Sequence, residues 1–198
     1  MTSERIKEAA LQLFTRNGYD GAPLSEIAAA VGIKTPSIYA HFKSKDDLFL
    51  AVMKDCLTEH NRRMQELISQ LDGLPVWEKL RTILEGGSDS YLLGHEQVTF
   101  LKRAMLFPPA ALEEQLRAQF VGSEEVMHTA LDKIFEEGMG SEQIRRESLD
   151  NLRASFYCVM DGLFLQNYYY RREDWKAKLD AVWLIFWKGI CHPKHNQA

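Results

Sequence analysis

Apolar positions recur at helical spacing along most of this 198-residue chain. Ile6, Ala10, Leu13 and Phe14 mark the inner face of a first helix from Ser3 to Asn17, and Gly18 closes it. Leu24, Ile27, Ala28 and Val31 repeat the pattern in a second, short helix that stops at Gly32. Ile33 plugs the turn. Thr35 then reads as the cap of a third helix, with Pro36 at its first position and Ile38, Tyr39 and Phe42 as its apolar face. Ser44 and Asp47, three residues apart, spell a capping box for a fourth helix. Its stripe runs from Leu48 through Met53, Leu57 and Met64 to Leu71. A helix from Lys45 to Leu71 is about 40 Å long.

The middle of the chain is less regular. Val76 to about Tyr91 reads as helix, with Gly86-Gly87 either interrupting it or marking a close approach. Gln97 to Phe107 reads as a helix stopped by Pro108-Pro109. Leu112 to Phe135 reads as a longer one with a break at Gly122-Ser123, and Glu136 to Gln143 as a loop. Ser148 caps a helix to about Arg172, and Asp174 caps the last, to about Ile190. The expected fold is all-α, with about nine helices. A three-helix unit at residues 1–47 is joined through the long helix to a larger helical domain at residues 48–198.

The second and third helices with their tight turn form a helix-turn-helix pattern, whose second helix enters the DNA major groove. The flanks sharpen this reading. Ala9-Ala10, Leu13-Phe14, Gly18-Tyr19, Glu26-Ile27-Ala28, Val31-Gly32-Ile33, Ser37-Ile38-Tyr39, His41-Phe42 and Lys43-Ser44-Lys45 followed by Asp47-Leu48 stand in order. Through them residues 5–52 resemble the N-terminal domain of the TetR (tetracycline-repressor) family of bacterial transcription regulators. The resemblance puts Lys34, Thr35, Pro36, Ser37, Tyr39 and His41 toward DNA and makes Lys45 a phosphate clamp. Many members of the family have a hydroxyl pair where this chain has Ala22-Pro23. Ser25 is the substitute expected to reach a phosphate.

The resemblance also implies a homodimer built from the last two helices, with Asp161-Gly162-Leu163 a familiar spelling there. Their apolar faces are too broad for one antiparallel pair to bury, and two copies would form a four-helix bundle. Phe156, Met160, Gly162, Leu163, Leu179, Trp183, Phe186 and Trp187 are the expected interface. An effector pocket among the later helices is implied as well. Trp77, Tyr91, Phe100, Met105, Phe107, Met127 and Phe164 are the candidate lining for a small, largely apolar ligand.

Composition and charge agree with one local DNA-binding face. Six basic and four acidic side chains leave +2 on residues 1–45, so the overall −4 puts −6 on the rest. Three scattered cysteines fit a reducing cytoplasm better than a disulfide framework. No apolar run reaches the roughly 18 residues of a membrane span. The histidines lack metal-ligand spacing, and the Cys191–His195 cluster lies in the tail. No Walker A, G-x-S-x-G, dinucleotide or H-E-x-x-H motif occurs. No metal, cofactor or enzyme activity is expected. The expected protein is a repressor released from a palindromic operator by its ligand. The alternative is a DNA-binding regulator that is ligand-independent or controlled by a protein partner.

Overall fold

The computed structural model describes residues 2–88, 94–169 and 172–195. Among them the chain forms α1 (Thr2–Asn17), α2 (Leu24–Val31), α3 (Thr35–Ile38), α4 (Lys45–Ser69) and α5 (Val76–Ser88). The series continues with α6 (His95–Leu106), α7 (Glu113–Ser123), α8 (Glu125–Gly140), α9 (Leu149–Tyr169) and α10 (Arg172–Ile190). The fold is all-α; β pairing among the described residues is limited to one bridge, Ile144 with Cys191. The tenth helix arises where the 112–135 run breaks after Ser123.

The chain packs as two compact units, residues 1–61 with 93–123, and residues 62–92 with 124–198. Packing thus divides the chain elsewhere than at residue 47, because α6 and α7 join the first unit.

In that unit α1 packs against α2 and α6. Ile6, Ala10, Ile27, Ile38 and Leu48 are wholly enclosed. Each large aliphatic side chain buried there contributes about 1.5–3 kcal/mol. Phe14 meets Phe49 edge-on at 4.9 Å, and Phe49 meets Phe100 at 5.1 Å. α1 stops at Gly18, whose φ of +75° is a left-handed conformation that glycine adopts freely. Arg103 of α6 then donates to the last carbonyls of α1, Thr15 at 3.2 Å and Arg16 at 3.3 Å. A cation at a helix C-terminus satisfies orphan acceptors and opposes the dipole.

In the second unit α5 packs on α8 and α9, with α10 against α9. Leu80, Ile83, Leu131, Phe135, Phe156 and Leu179 are fully enclosed. Arg153 of α9 forks onto Asp132 of α8, with both oxygens at 2.5 Å. Gly86-Gly87 lies inside α5 and marks a close approach: a Cβ on Gly87 would run into the Met160 sulfur.

The expected loop at 136–143 is mostly helix, since α8 continues to Gly140. Gly138 serves packing there rather than chain reversal, as a Cβ would stand 2.6 Å from Ile144 Cδ1 and 3.0 Å from Val76 Cγ1. α4 ends at Ser69, two residues early. Ser148 does cap α9, its hydroxyl accepting the Asn151 N–H at 3.2 Å. Asp174 does not cap α10, which has already begun at Arg172.

Candidate nucleic-acid interface

The turn between α2 and α3 is closed by local bonds. Gly32 adopts φ +76°, its N–H donates to Ala29 O at 3.0 Å, and the Ile33 N–H reaches back to Ala28 O at 3.0 Å. This paired closure is a Schellman motif, and it needs a left-handed residue at Gly32. Arg5 of α1 adds a hydrogen bond to the Val31 carbonyl at 3.2 Å. The turn angle is thereby held from both sides.

Both short helices start differently from the sequence expectation. Lys34, extended at φ −86° and ψ 147°, is the cap residue of α3, so Thr35 is its first helical residue and Pro36 its second. The missing N–H of Pro36 still costs nothing, because the first turn has no intrahelical acceptors. Pro23 likewise is the cap residue of α2, not its first helical residue, and no side chain caps either helix. Ala22 is fully buried.

α3 is anchored inward by Ile38, which is fully buried, and Phe42 just beyond it is 7% exposed. Lys34, Pro36, Ser37 and His41 are exposed, and Tyr39 is 57% exposed. Thr35 is half-buried, and Ser25 is exposed on α2. A rigid apolar footing thus presents a short row of donors and one aromatic ring. Such a row suits base edges and phosphate oxygens in a major groove.

Lys45 opens α4 beside this row. Ser44 Oγ accepts the Asp47 N–H at 3.1 Å, the expected cap. The Asp47 carboxylate returns its bond to the Lys43 N–H at 2.8 Å rather than to Ser44. The Lys45 ammonium lies over the Tyr19 ring, 4.4 Å from its centroid. Tyr19 itself hydrogen-bonds Asp46. Sequence reasoning left Tyr19 without a role; its signal was an aromatic directly after a helix-ending glycine. Lys7 of α1 binds Asp55 of α4 at 2.5 Å and Glu4 at 2.9 Å, tying α1 to α4.

Six of the seven effector candidates divide between the two units, three in each. Phe100 is 1% exposed in the core of the first unit, where Phe107 is 79% and Met105 41% exposed. Met127 is buried and Trp77 exposed in the second unit, where Phe164 is half-buried. Tyr91 lies outside the described residues. Phe100 and Phe107 do line a cleft with Tyr19 and Arg103, but its volume is about 20 Å³. That is room for about one water.

The interface candidates split in two. Phe156, Leu163, Leu179 and Trp183 are buried in the chain's own core. Met160, Gly162, Phe186 and Trp187 are half-buried. Among the described residues of these helices, the large apolar side chains that are exposed are Leu165, Leu184 and Ile185. Gly162 and Gly189 have no atom within 4 Å of a Cβ position, which leaves open space beside both helices.

Residues 6–52 match the family model described as bacterial regulatory proteins, tetR family. The Fatty acid metabolism regulator protein of Bacillus subtilis is 32% identical over 66 residues, 33% of this chain and 34% of that protein. The biofilm operon icaADBC negative transcriptional regulator IcaR of Staphylococcus aureus is 42% identical over 53 residues, 27% and 28% of the two chains. The chain thus matches these relatives over about a third of their length or less. Solved structures extend the likeness to nearly the whole chain. The Bacillus subtilis transcriptional regulator FadR in complex with stearoyl-CoA is 25% identical with a TM-score of 0.73, covering 94% of this chain and 98% of that one. A TetR transcriptional regulator from Chloroflexus aurantiacus shares the fold at 21% identity and a TM-score of 0.68, covering 96% of each chain. No described helix is long and apolar enough to cross a membrane.

Proposed function

From a chain that belongs, through residues 6–52, to the tetR family of bacterial regulatory proteins, we propose a homodimeric repressor released from a palindromic operator by a small, largely apolar ligand. The carrying observation is the outward row Lys34, Ser37, Tyr39 and His41 on a helix whose Ile38 is fully buried. Those side chains have no structural task facing inward, and the turn that aims them is held by Gly32 and Arg5. Lys45 and Ser25 supply phosphate contacts, which set register, while α3 reads base edges.

Two half-sites require two reading units. Leu165, Leu184 and Ile185 with half-buried Val159, Phe186 and Trp187 give α9 and α10 an apolar outer surface that a second copy would cover. Paired units then read half-sites about 34–36 Å apart, or somewhat more. The ligand acts by binding only the dimer whose reading units are wrongly spaced. A switch from 1:99 to 99:1 takes a differential affinity of about 5.5 kcal/mol. α4 carries the chain from one compact unit into the other and is the element through which that shift travels. A long-chain acyl group is the first apolar ligand chemistry to test, because the similar Bacillus subtilis regulator is solved in complex with stearoyl-CoA.

The test is sequence-selective DNA capture. Purified protein is incubated with fragmented DNA from its own source at about 150 mM salt, and the retained fragments are sequenced. Recovery of a palindromic site that Tyr39→Ala no longer retains supports the reading. Equal retention of all fragments by parent and variant overturns it.

A further inference from the structure

We propose that Tyr19 is a positioning residue for DNA binding: its ring seats the Lys45 ammonium and its hydroxyl turns Asp46 aside, presenting the first turn of α4 to a backbone phosphate. The proposal rests on the DNA-binding reading above and assigns a task to a residue outside the helix-turn-helix pair.

The ring is a fixed seat. Phe49 meets it edge-on at 5.3 Å and Phe14 stacks at 6.2 Å, both from the core of the first unit. The Lys45 ammonium at 4.4 Å from the centroid is within the roughly 6 Å reach of a cation–π contact. A lysine has four rotatable side-chain bonds, and holding it before DNA arrives removes part of the ordering cost of contact.

The neighbours of Lys45 show why a seat matters. Asp46 and Asp47 share its helical turn. Left free, either would draw the ammonium into an ion pair or repel an approaching phosphate. Neither is free. The Asp46 carboxylate accepts the Tyr19 hydroxyl, and the Asp47 carboxylate accepts the Lys43 N–H at 2.8 Å. Among the described residues no carboxylate pairs with Lys45. The ring attracts the ammonium without neutralising it, so its full charge remains for a phosphate. Burial, and then the bond to Asp46, push the Tyr19 phenol up from its ordinary value of 10.0, so it remains a donor near neutral pH.

The test is a double-mutant cycle on Tyr19 and Lys45, read by binding to a 30-base-pair duplex of random sequence across a salt series. A random duplex reports phosphate contacts without requiring a known operator. Tyr19→Leu keeps apolar bulk and removes the ring. It is expected to weaken binding about two- to fivefold per protomer, the size of an exposed cation–π contact. In a Lys45→Ala background the same change is expected to have no effect. Tyr19→Phe, with the ring but no hydroxyl, should fall between parent and Tyr19→Leu. A thermal midpoint for each variant separates unfolding from lost contact. If Tyr19→Leu is poorly folded, the upfield ring-current shift of the Lys45 ε-CH₂ resonance, retained in Tyr19→Phe, reports the seat in folded protein. Equal weakening by Tyr19→Leu with and without Lys45 overturns the proposal, as does a Lys45 resonance without that shift. Parent-like binding by Lys45→Ala overturns it too, while leaving α3 as the reader. A parent that binds no duplex at all overturns the DNA-binding reading itself.

Discussion

The outward faces of α3 and α10 differ in kind. On α3, Ile38 is buried and the exposed neighbours are Pro36, Ser37, Tyr39 and His41. On α10, Leu179 and Trp183 are buried, yet Leu184 is 51% and Ile185 71% exposed. One helix has a single apolar side and the other has two. A polar face on a rigid footing suits a hydrated polyanion, where hydrogen bonds replace water one for one. An apolar face remaining after the chain has filled its core calls for another apolar surface. In the proposed function the first surface is the one that reads DNA and the second the one that pairs with a second copy of the chain.

The comparison breaks most sharply in the cores. Phe14→Ala in the first unit and Phe156→Ala in the second are each expected to cost about 3–5 kcal/mol, measured by urea unfolding. A near-neutral Phe156→Ala would mean that this ring faces a partner after all. Next comes Ile185→Asp, which should leave the fold intact. Losing this apolar contact, at about 1.5–3 kcal/mol, should weaken dimerisation about ten- to a hundredfold by sedimentation equilibrium. An unchanged dimer would place the interface elsewhere.

Lys45→Ala should lower DNA affinity about tenfold and the salt slope by about one without changing assembly. Tyr39→Ala should lower affinity with little change in slope; equal slope changes in both would remove the division between base reading and phosphate clamping. Gly32→Ala has open space around its Cβ, so its cost is the left-handed backbone alone, about 1 kcal/mol.

The smallest effect concerns His60 of α4. Burial lowers its pKa below the ordinary 6.5, so the unfolded chain binds its proton more readily. Stability is then full above pH 6.5 and declines as pH falls from there toward the folded value. His60→Gln should flatten that part of the pH profile, read by urea midpoints.

Helix existence was readable from the chain wherever one apolar stripe met one stop signal. α1 and α2 fell within about a residue of expectation and α9 began where expected, because Gly18, Gly32 and Ser148 act through bonds to neighbours within a few residues. Gly138 misled, since a glycine that admits Ile144 and Val76 is written like one that ends a helix. Asp174 misled because a good capping residue is also acceptable in a first turn. The exposure of the row on α3 was legible, because Ile38 and Phe42 already specify which side of α3 faces inward.

The partners of those side chains were not legible. By itself the sequence determined the helical class, the Schellman turn at Gly32 and the donors that follow it, all products of spacing and local hydrogen bonds. Only the tertiary structure decided that Tyr19 lies under Lys45, that Arg103 caps α1 from 87 residues away, and that Phe156 and Trp183 face inward while Ile185 faces out. The reason is physical. A hydrogen bond within one turn depends on a few dihedral angles, whereas the choice between two apolar faces of one helix depends on which other helices arrive to cover them.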